Sequence, residues 1–145
     1  MDFDQVFSTF RISSSALAAE QTRMRVIANN LANANTTHGP GGGPFRRNEV
    51  VFRTVLDREM GGHGAGAGLA GVAVERVAPS ATPFRSEYRP GHPDADPQTG
   101  MVKLPNVEPV TEMVDMITAS RSYQANLTVL STFRDMILQT LKLGH

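Results

Sequence analysis

Cysteine is absent from the 145 residues, and neither sign of charge is in excess, because 14 basic residues balance 14 acidic ones. The lack of cysteine excludes disulfides, thiolate catalysis and cysteine-based zinc sites. The charge balance argues against a nucleic-acid partner, which binds basic residues gathered on one face. Long apolar runs are also missing, and no stretch nears the ~20 apolar residues that a membrane span needs. We therefore expect neither nucleic-acid binding nor direct membrane insertion.

The N-terminus also lacks the features of a secretory signal. Asp2 and Asp4 stand where such a signal would be basic, and Ser8, Thr9 and Arg11 interrupt any apolar stretch. If the protein leaves the cytoplasm, we expect it to do so without cleavage of a signal peptide.

Two motifs suggest chemistry at first sight. Residues 66–71 fit GxGxxG, but no strand precedes them and a β-type segment follows, so a nucleotide site is not predicted. Asp94 and Asp96 open a segment that lacks the glycine and glutamate of a calcium loop. A loose metal site with His92 stays as an alternative to a turn stabilised by the Asp side chains. The sequence predicts no catalytic residue, no cofactor and no bound metal.

The first thirty or so residues are predicted to form one long helix. Proline and glycine are absent between residues 3 and 34, where good helix formers are frequent. A helix-pairing seam of apolar residues recurs every seven positions, at Phe3, Phe10, Leu17, Met24 and Leu31. A second column lies roughly opposite, at Ile12, Ala19 and Val26. Because a helix with one partner needs only one apolar face, we expect neighbours on both sides.

The C-terminal part repeats this design. Asn106 is predicted to cap a second helix, Pro109 lies in its first turn, and the helix continues to about residue 143. Its seam residues are Met116, Tyr123, Leu130 and Ile137, seven apart, and the seam is thickened by Met113, Leu127 and Leu141. Its outer stripe is Val129, Met136 and Leu143. The alternative is a self-contained helical hairpin whose extra apolar residues are scattered over the surface.

The middle of the chain has a different composition. Loops rich in glycine and proline are predicted at residues 36–44, 61–71 and 90–100. Runs of β-branched residues bounded by breakers predict short strands at 49–56 and 71–77, and a third short strand is expected at 84–88. The fold is therefore predicted to be mainly α. It divides into an N-terminal helix, a region of loops and short strands that includes a β-hairpin, and a C-terminal helix, at residues 1–35, 36–105 and 106–145.

The end of the first helix is unusually rich in asparagine, at Asn29, Asn30, Asn33 and Asn35. Asparagine is a mediocre helix former because its amide competes for backbone hydrogen bonds. The same amide can donate and accept, and can therefore satisfy loop backbone without adding charge. We predict that these amides fix the helix end against another backbone segment. The alternative is a fraying helix end.

The same stretch carries a family resemblance. Residues 28–33 (ANNLAN) resemble the N-terminal motif of the flagellar axial family, which covers rod and hook proteins. Further segments, in the same order as in the family, narrow the resemblance to a proximal rod subunit; they lie at residues 23–27, 42–47, 90–96, 105–107, 112–116 and 120–126.

This resemblance implies a structural, non-enzymatic subunit of the bacterial flagellar basal-body rod. In such a subunit the terminal helices pair as an antiparallel coiled-coil-like unit, and the units stack into a helical tube that transmits motor torque. The implied route is flagellum-specific type III export without signal cleavage, followed by assembly in the periplasm. The implied partners are copies of the chain, other rod proteins, the ring–rod junction protein and the export apparatus.

Two alternatives stay open at this point. One is a different rod or hook position within the same family. The other is a metal-dependent or peptidoglycan-cleaving enzyme, which would need a pair of carboxylates in a cleft of the middle region. The sequence offers no such pair.

Overall fold

The computed structural model describes residues 3–39, 41–56 and 69–143. Two long helices enclose four strands in the order α1 (Phe3–Ala32), β1 (Asn48–Leu56), β2 (Leu69–Pro79), β3 (Arg85–Tyr88), β4 (Met101–Leu104) and α2 (Pro109–Leu143). The helices contain 30 and 35 residues. The predicted arrangement of two long terminal helices around a small antiparallel β region is confirmed.

The helix ends show how local sequence sets their bounds. Pro109 is the first residue of α2, as predicted, because a proline in the first turn gives up no helical hydrogen bond. The prediction that Asn106 caps this helix is wrong. The residue before the helix is Glu108, whose carbonyl accepts the Glu112 N–H at 3.0 Å and whose carboxylate accepts the Thr111 hydroxyl at 3.1 Å.

The four strands form two separate antiparallel pairs. In the longer hairpin, Asn48 of β1 lies opposite Pro79 of β2, and Leu56 lies opposite Leu69, with register shifts after Val51 and after Val55. The three predicted strands are confirmed, and β4, which pairs with β3, was not predicted. Of the predicted connector at 61–71, positions 61–68 lie outside the described residues, and 69–71 belong to β2.

The helices contact each other, and the hairpin packs along α1, mainly through β2. The hairpin approaches α1 closely at Gly71, where an added Cβ would overlap the Ser15 Oγ. Small side chains allow this close packing. The buried apolar residues of the described part are Ala19, Ile27, Ala34, Val55, Val102, Leu104, Val107 and Ala119. The core is therefore thin, and much of the apolar surface of the helices stays outside it.

Candidate functional site

A buried polar cluster joins the end of α1, the start of β1 and the start of α2. We call it the polar clasp and define it as Asn30, Arg47, Asn48, Asn106 and Glu112. The chain brings these residues together from positions up to 82 residues apart. Because α1 ends here and α2 begins here, the clasp fixes the two helices at one shared end.

Asn30 is the centre of the polar clasp. Its side-chain amide donates to the Asn48 carbonyl oxygen and accepts from the Asn48 N–H, both at 2.9 Å. The same Nδ2 also donates to Glu112 Oε2 at 3.1 Å. All the hydrogen-bonding groups of the amide are used, as a buried amide requires. The role predicted for the asparagine-rich end, fixing the helix against a backbone segment, is therefore found at Asn30.

Glu112 supplies the charge of the polar clasp. Its side chain is fully buried, and Oε1 accepts from Arg47 Nε at 2.5 Å. Arg47 also donates to Glu49 at 2.7 Å and lies 3.6 Å from Asp115. Burial by itself would lower the pKa of Arg47. The hydrogen bond and the negative charge of Glu112, together with those of Glu49, outweigh the burial and raise it.

Asn106 links the polar clasp to the second strand pair. Its Oδ1 accepts from the Arg47 N–H at 2.8 Å, and its Nδ2 donates to the Thr82 carbonyl oxygen at 2.9 Å. The neighbouring Arg46 donates to the Ser80 carbonyl at 2.9 Å and stacks 4.2 Å over the ring of Phe84. The side chains of Arg46 and Asn106 thus hold the irregular segment between β2 and β3.

A second ion pair fixes the direction of the helices. Arg23 of α1 lies 3.5 Å from Asp115 of α2, and Asn30 of α1 bonds Glu112. The later residue of α1 meets the earlier residue of α2, so the two helices run in opposite directions at this end.

The carboxylate of the polar clasp is not free for chemistry. Both oxygens of Glu112 are bonded, and the carboxylate has no access to solvent, so it cannot meet a substrate. Within residues 3–39, 41–56 and 69–143, no group of three His, Asp or Glu side chains could hold a metal ion. The arrangement is suited to joining three segments.

The residues of the alternative metal site form a turn. Asp96 accepts from the Gln98 N–H at 2.9 Å and from the Thr99 hydroxyl at 3.0 Å, and these bonds lower its pKa. Asp94 accepts the Thr37 hydroxyl at 2.7 Å, and its N–H donates to His92 Nδ1 at 3.1 Å. The carboxylates therefore stabilise loop backbone and neighbouring side chains, which is the turn reading of this segment.

Comparison with known proteins identifies the family. A profile described as "Flagella basal body rod protein" matches residues 10–40, and one described as "Flagellar basal body rod FlgEFG protein C-terminal" matches residues 98–143. The flagellar basal-body rod protein FlgC of Salmonella typhimurium is 45% identical over 140 residues, or 97% of this chain and 98% of that protein. This chain belongs to the FlgC family. The resemblance stated from the motifs is confirmed.

More distant FlgC relatives also match over nearly their whole length. The FlgC protein of Borreliella burgdorferi is 36% identical over 94% of this chain and 95% of its own. That of Bacillus subtilis is 35% identical over 95% of this chain and 97% of its own. The polar clasp joins the two segments that the family profiles match, because Asn30 lies in the first and Glu112 in the second.

The other asparagines at the end of α1 either bond to nearby residues or are exposed. Asn33 donates to the Asn29 carbonyl oxygen at 2.9 Å and closes the last turn of α1. Its Oδ1 accepts from the Thr36 hydroxyl at 3.3 Å. Asn29 and Asn35 are exposed, and Leu31 is half-buried.

The predicted seam residues divide by burial. Half-buried side chains are those of Leu17, Met24, Leu31, Met116, Tyr123 and Leu130. Exposed side chains are those of Phe10, Leu127 and Ile137, all away from the polar clasp, and of Met113, which adjoins it. Met113 therefore faces away from the seam in which it was predicted. The side chains of Phe3 and Leu141 lie outside the described part. The rest of the seam is covered near the clasp and increasingly open towards the far end.

The outer stripe needs one correction. Ile12, Val129 and Met136 are exposed, and Val26 is half-buried. Ala19 is only 4% exposed, because it lies in the thin core of the chain itself, so its place in an inter-subunit stripe was wrongly predicted. The side chain of Leu143 lies outside the part that the structure describes.

Apart from Asn30, the residues of the polar clasp were not predicted as a site. Asn106 was predicted to cap the second helix, and Arg47, Asn48 and Glu112 were assigned no role. One available signal was that Glu112 lies on the same side of α2 as the seam residue Met116 and the buried Ala119. An acidic residue on an apolar side needs a buried partner.

Neither helix of the described residues combines the length and the apolarity that crossing a membrane requires.

Proposed function

We propose that this chain is a structural, non-enzymatic subunit of the bacterial flagellar basal-body rod. Its relatives are named as flagellar basal-body rod proteins and match it end to end. The observation that carries the proposal is the apolar surface of α2. Its exposed large side chains are Val110, Met113, Val114, Ile117, Leu127, Val129, Met136, Ile137 and Leu138. So much exposed apolar surface is typical of a protein that is buried in an assembly.

In this proposal the terminal helices pair as an antiparallel coiled-coil-like unit. The polar clasp and the Arg23–Asp115 pair support the antiparallel order. Half-buried seam residues of both helices, such as Met24 in α1 and Tyr123 in α2, support apolar pairing on the side of the polar clasp. The open part of the seam would be covered when subunits pack into a helical tube. That tube would transmit motor torque.

The outer stripe would then face neighbouring subunits. In this proposal the stripe no longer includes Ala19, and its members are Ile12, Val26, Val129, Met136 and Leu143. Val26 lies in a groove beside β1 and so would receive a neighbour. The others would supply contact surface on the outside of the helix pair.

The site of action in this proposal is the rod in the periplasm. The chain would reach it by type III export without cleavage of a signal peptide, with the export apparatus and the ring–rod junction protein as further partners. The family resemblance supports these points.

The test of the function is a charge on the outer stripe. Val129 is 39% exposed, so Val129→Glu costs the isolated chain little. Burying that carboxylate without a partner in an assembly costs several kcal/mol. We expect Val129→Glu to be made and secreted but to be absent from basal bodies purified from a strain that carries it as its only copy.

Gln139→Glu is the matched control, because Gln139 is an exposed polar residue of the same helix. It should enter basal bodies at the level of the unmodified chain. Normal rods that contain Val129→Glu would show that the outer stripe faces solvent. Failure to find the unmodified chain in purified basal bodies would overturn the function itself.

A further inference from the structure

The first two turns of α2 carry an apolar patch, of which only Met113 belongs to a predicted stripe. It consists of Val110, Met113, Val114 and Ile117, which are between 47% and 71% exposed. The spacing of three and four residues places them on one side of the helix. The opposite side carries the buried Glu112 and Ala119. We call the four residues the α2 patch.

The polar groups next to the α2 patch are already satisfied. The Thr118 hydroxyl donates to the Val114 carbonyl oxygen at 2.9 Å, and the Thr111 hydroxyl donates to Glu108 at 3.1 Å. Burying these hydroxyls would therefore leave no donor without a partner. The patch can be covered by another protein at little polar cost.

A groove lies on the other side of the helix pair, between α1 and β1. It has a volume of about 430 Å³, and its apolar lining is Val26, Ile27, Val50 and Phe52. The exposed part of Phe52 forms one wall. The charged lining residues are Arg23, Arg47, Glu49 and Asp115, and we call this cavity the α1–β1 groove.

We propose that the α2 patch of one copy docks into the α1–β1 groove of the next copy. The α2 patch and the groove cannot meet within one chain, because Asp115 lines the groove from the side of α2 that faces away from the patch. A contact between two different surfaces of identical chains is heterologous, and repeating it without closure builds a filament. The proposal rests on the proposed function and names the contact between successive copies.

One pair of opposite charges is available between the two surfaces. The lining of the α1–β1 groove itself is balanced, with Arg23 and Arg47 against Glu49 and Asp115. The charged residue that follows the α2 patch on the same side of the helix is Arg121, which is exposed. When the patch enters the groove, this guanidinium can pair with Glu49, whose side chain is about half exposed.

Cysteine cross-linking tests the contact, because the chain contains no cysteine of its own. Val114→Cys and Phe52→Cys are combined in one chain, and basal bodies are treated with a short thiol-specific cross-linker. We expect a ladder of dimers and higher multiples of this chain. The matched control combines Phe52→Cys with Gln124→Cys, about three turns further along α2 than Val114, and should give no ladder.

Three outcomes separate the proposals. Rods that contain the Val114/Phe52 pair but give no ladder would overturn the docking and leave the function standing. Cross-linking to a protein of different mass would show that the α2 patch meets another rod protein, which also overturns the docking of a second copy. Absence of the unmodified chain from basal bodies would overturn both.

A charge in the α2 patch gives a second, independent measurement. Because Val114 is 58% exposed, Val114→Glu should leave the urea midpoint of the isolated chain unchanged. We expect its loss from basal bodies, while the control Gln124→Glu is retained. Incorporation of Val114→Glu at the level of the unmodified chain would overturn the docking even if cross-links form.

Discussion

At the scale of the residue, the polar clasp depends on one carboxylate with no access to water. Glu112 shares its two oxygens between Arg47 and Asn30, and neither bond can be replaced by solvent. A buried charge is tolerated only when its partners stay in place. The stability of the clasp should therefore fall far more when Glu112 is removed than when an exposed partner of Arg47 is removed.

Substitution at Glu112 tests this dependence. Glu112→Ala leaves Arg47 and the Asn30 amide without their buried partner, and breaking such a pair costs about 3 kcal/mol. We expect a loss of that size in the free energy of unfolding, measured by urea denaturation. Glu49→Gln removes the exposed partner of the same arginine and should cost at most ~1 kcal/mol. Equal losses for the two variants would mean that the clasp contributes no more than a surface ion pair.

A second prediction at this scale concerns Asp96. Hydrogen bonds from the Gln98 N–H and the Thr99 hydroxyl hold the pKa of Asp96 below its ordinary value of 3.8. A depressed carboxyl pKa stabilises the folded loop above the unfolded pKa, and this contribution is lost as the pH falls through the folded value. Thr99→Val removes one of these donors, so the pKa of Asp96, measured by NMR titration, should rise. An unchanged pKa would show that the Gln98 N–H alone sets it.

At the scale of the element, the hairpin meets α1 in a close contact between Gly71 and Ser15. The Ser15 hydroxyl donates to the Ile12 carbonyl oxygen at 2.7 Å and accepts from the Val72 N–H at 3.1 Å. This geometry leaves no room for a side chain at Gly71, where a Cβ would also lie 3.0 Å from the Ser15 Cβ. The sequence of β2 therefore has glycine where it crosses the helix.

Gly71→Ala should separate the hairpin from α1. Overpacking of this kind costs about 1 to 3 kcal/mol, and we expect a loss in that range by urea denaturation. Adding Ser15→Ala removes the closest clash and should restore part of the loss. Gly41→Ala is the control, because no atom lies within 4 Å of the added Cβ. A fully stable Gly71→Ala variant would show that the hairpin shifts freely on the helix.

The elements differ in how far the sequence predicts them. The terminal helices follow from the absence of Pro and Gly, and β1 and β2 follow from β-branched runs, because these signals are local. Strand β4 was missed because Met101–Leu104 is only four residues long and gains its order from pairing with β3. Asn106 was misread as a cap because its partners, Arg47 and Thr82, are distant in sequence. A local pattern cannot show such contacts.

The functional surfaces also differ in how far the sequence predicts them. The amide of Asn30 could be assigned a role because an amide in a helix end needs a partner in any fold. The α2 patch could not be separated from the seam, because Met113 and Met116 look alike until the position of α1 decides which of them faces it. The burial of Ala19 likewise depends on how closely the hairpin and α2 approach α1.

At the scale of the whole molecule, order should be graded from one end to the other. The polar clasp, the Arg23–Asp115 pair and the core residues Ile27, Ala34 and Ala119 lie near the shared helix end. Phe10, Leu127 and Ile137 are exposed towards the other end. Long helices take most of their stability from packing, so the far halves need neighbours in an assembly.

Hydrogen exchange on dilute protein tests this gradient. We expect the slowest exchange in α1 from residue 23 to 32 and in α2 from 112 to 119. Exchange should be fast in α1 before residue 12 and in α2 after residue 127. The assembled rod is the internal comparison, because both far segments should become protected there. Uniform protection of both helices in the dilute chain would contradict the assembly proposal.

The direct bond between Asn30 and Glu112 determines how a mechanical load passes through the chain. Hydrogen bonds depend on distance and angle, whereas apolar contacts are non-directional. The bond therefore holds the two helices in one register at this end, and the two bonds between Asn30 and Asn48 attach the hairpin to the same point. A strain on either helix would reach both the other helix and the hairpin there.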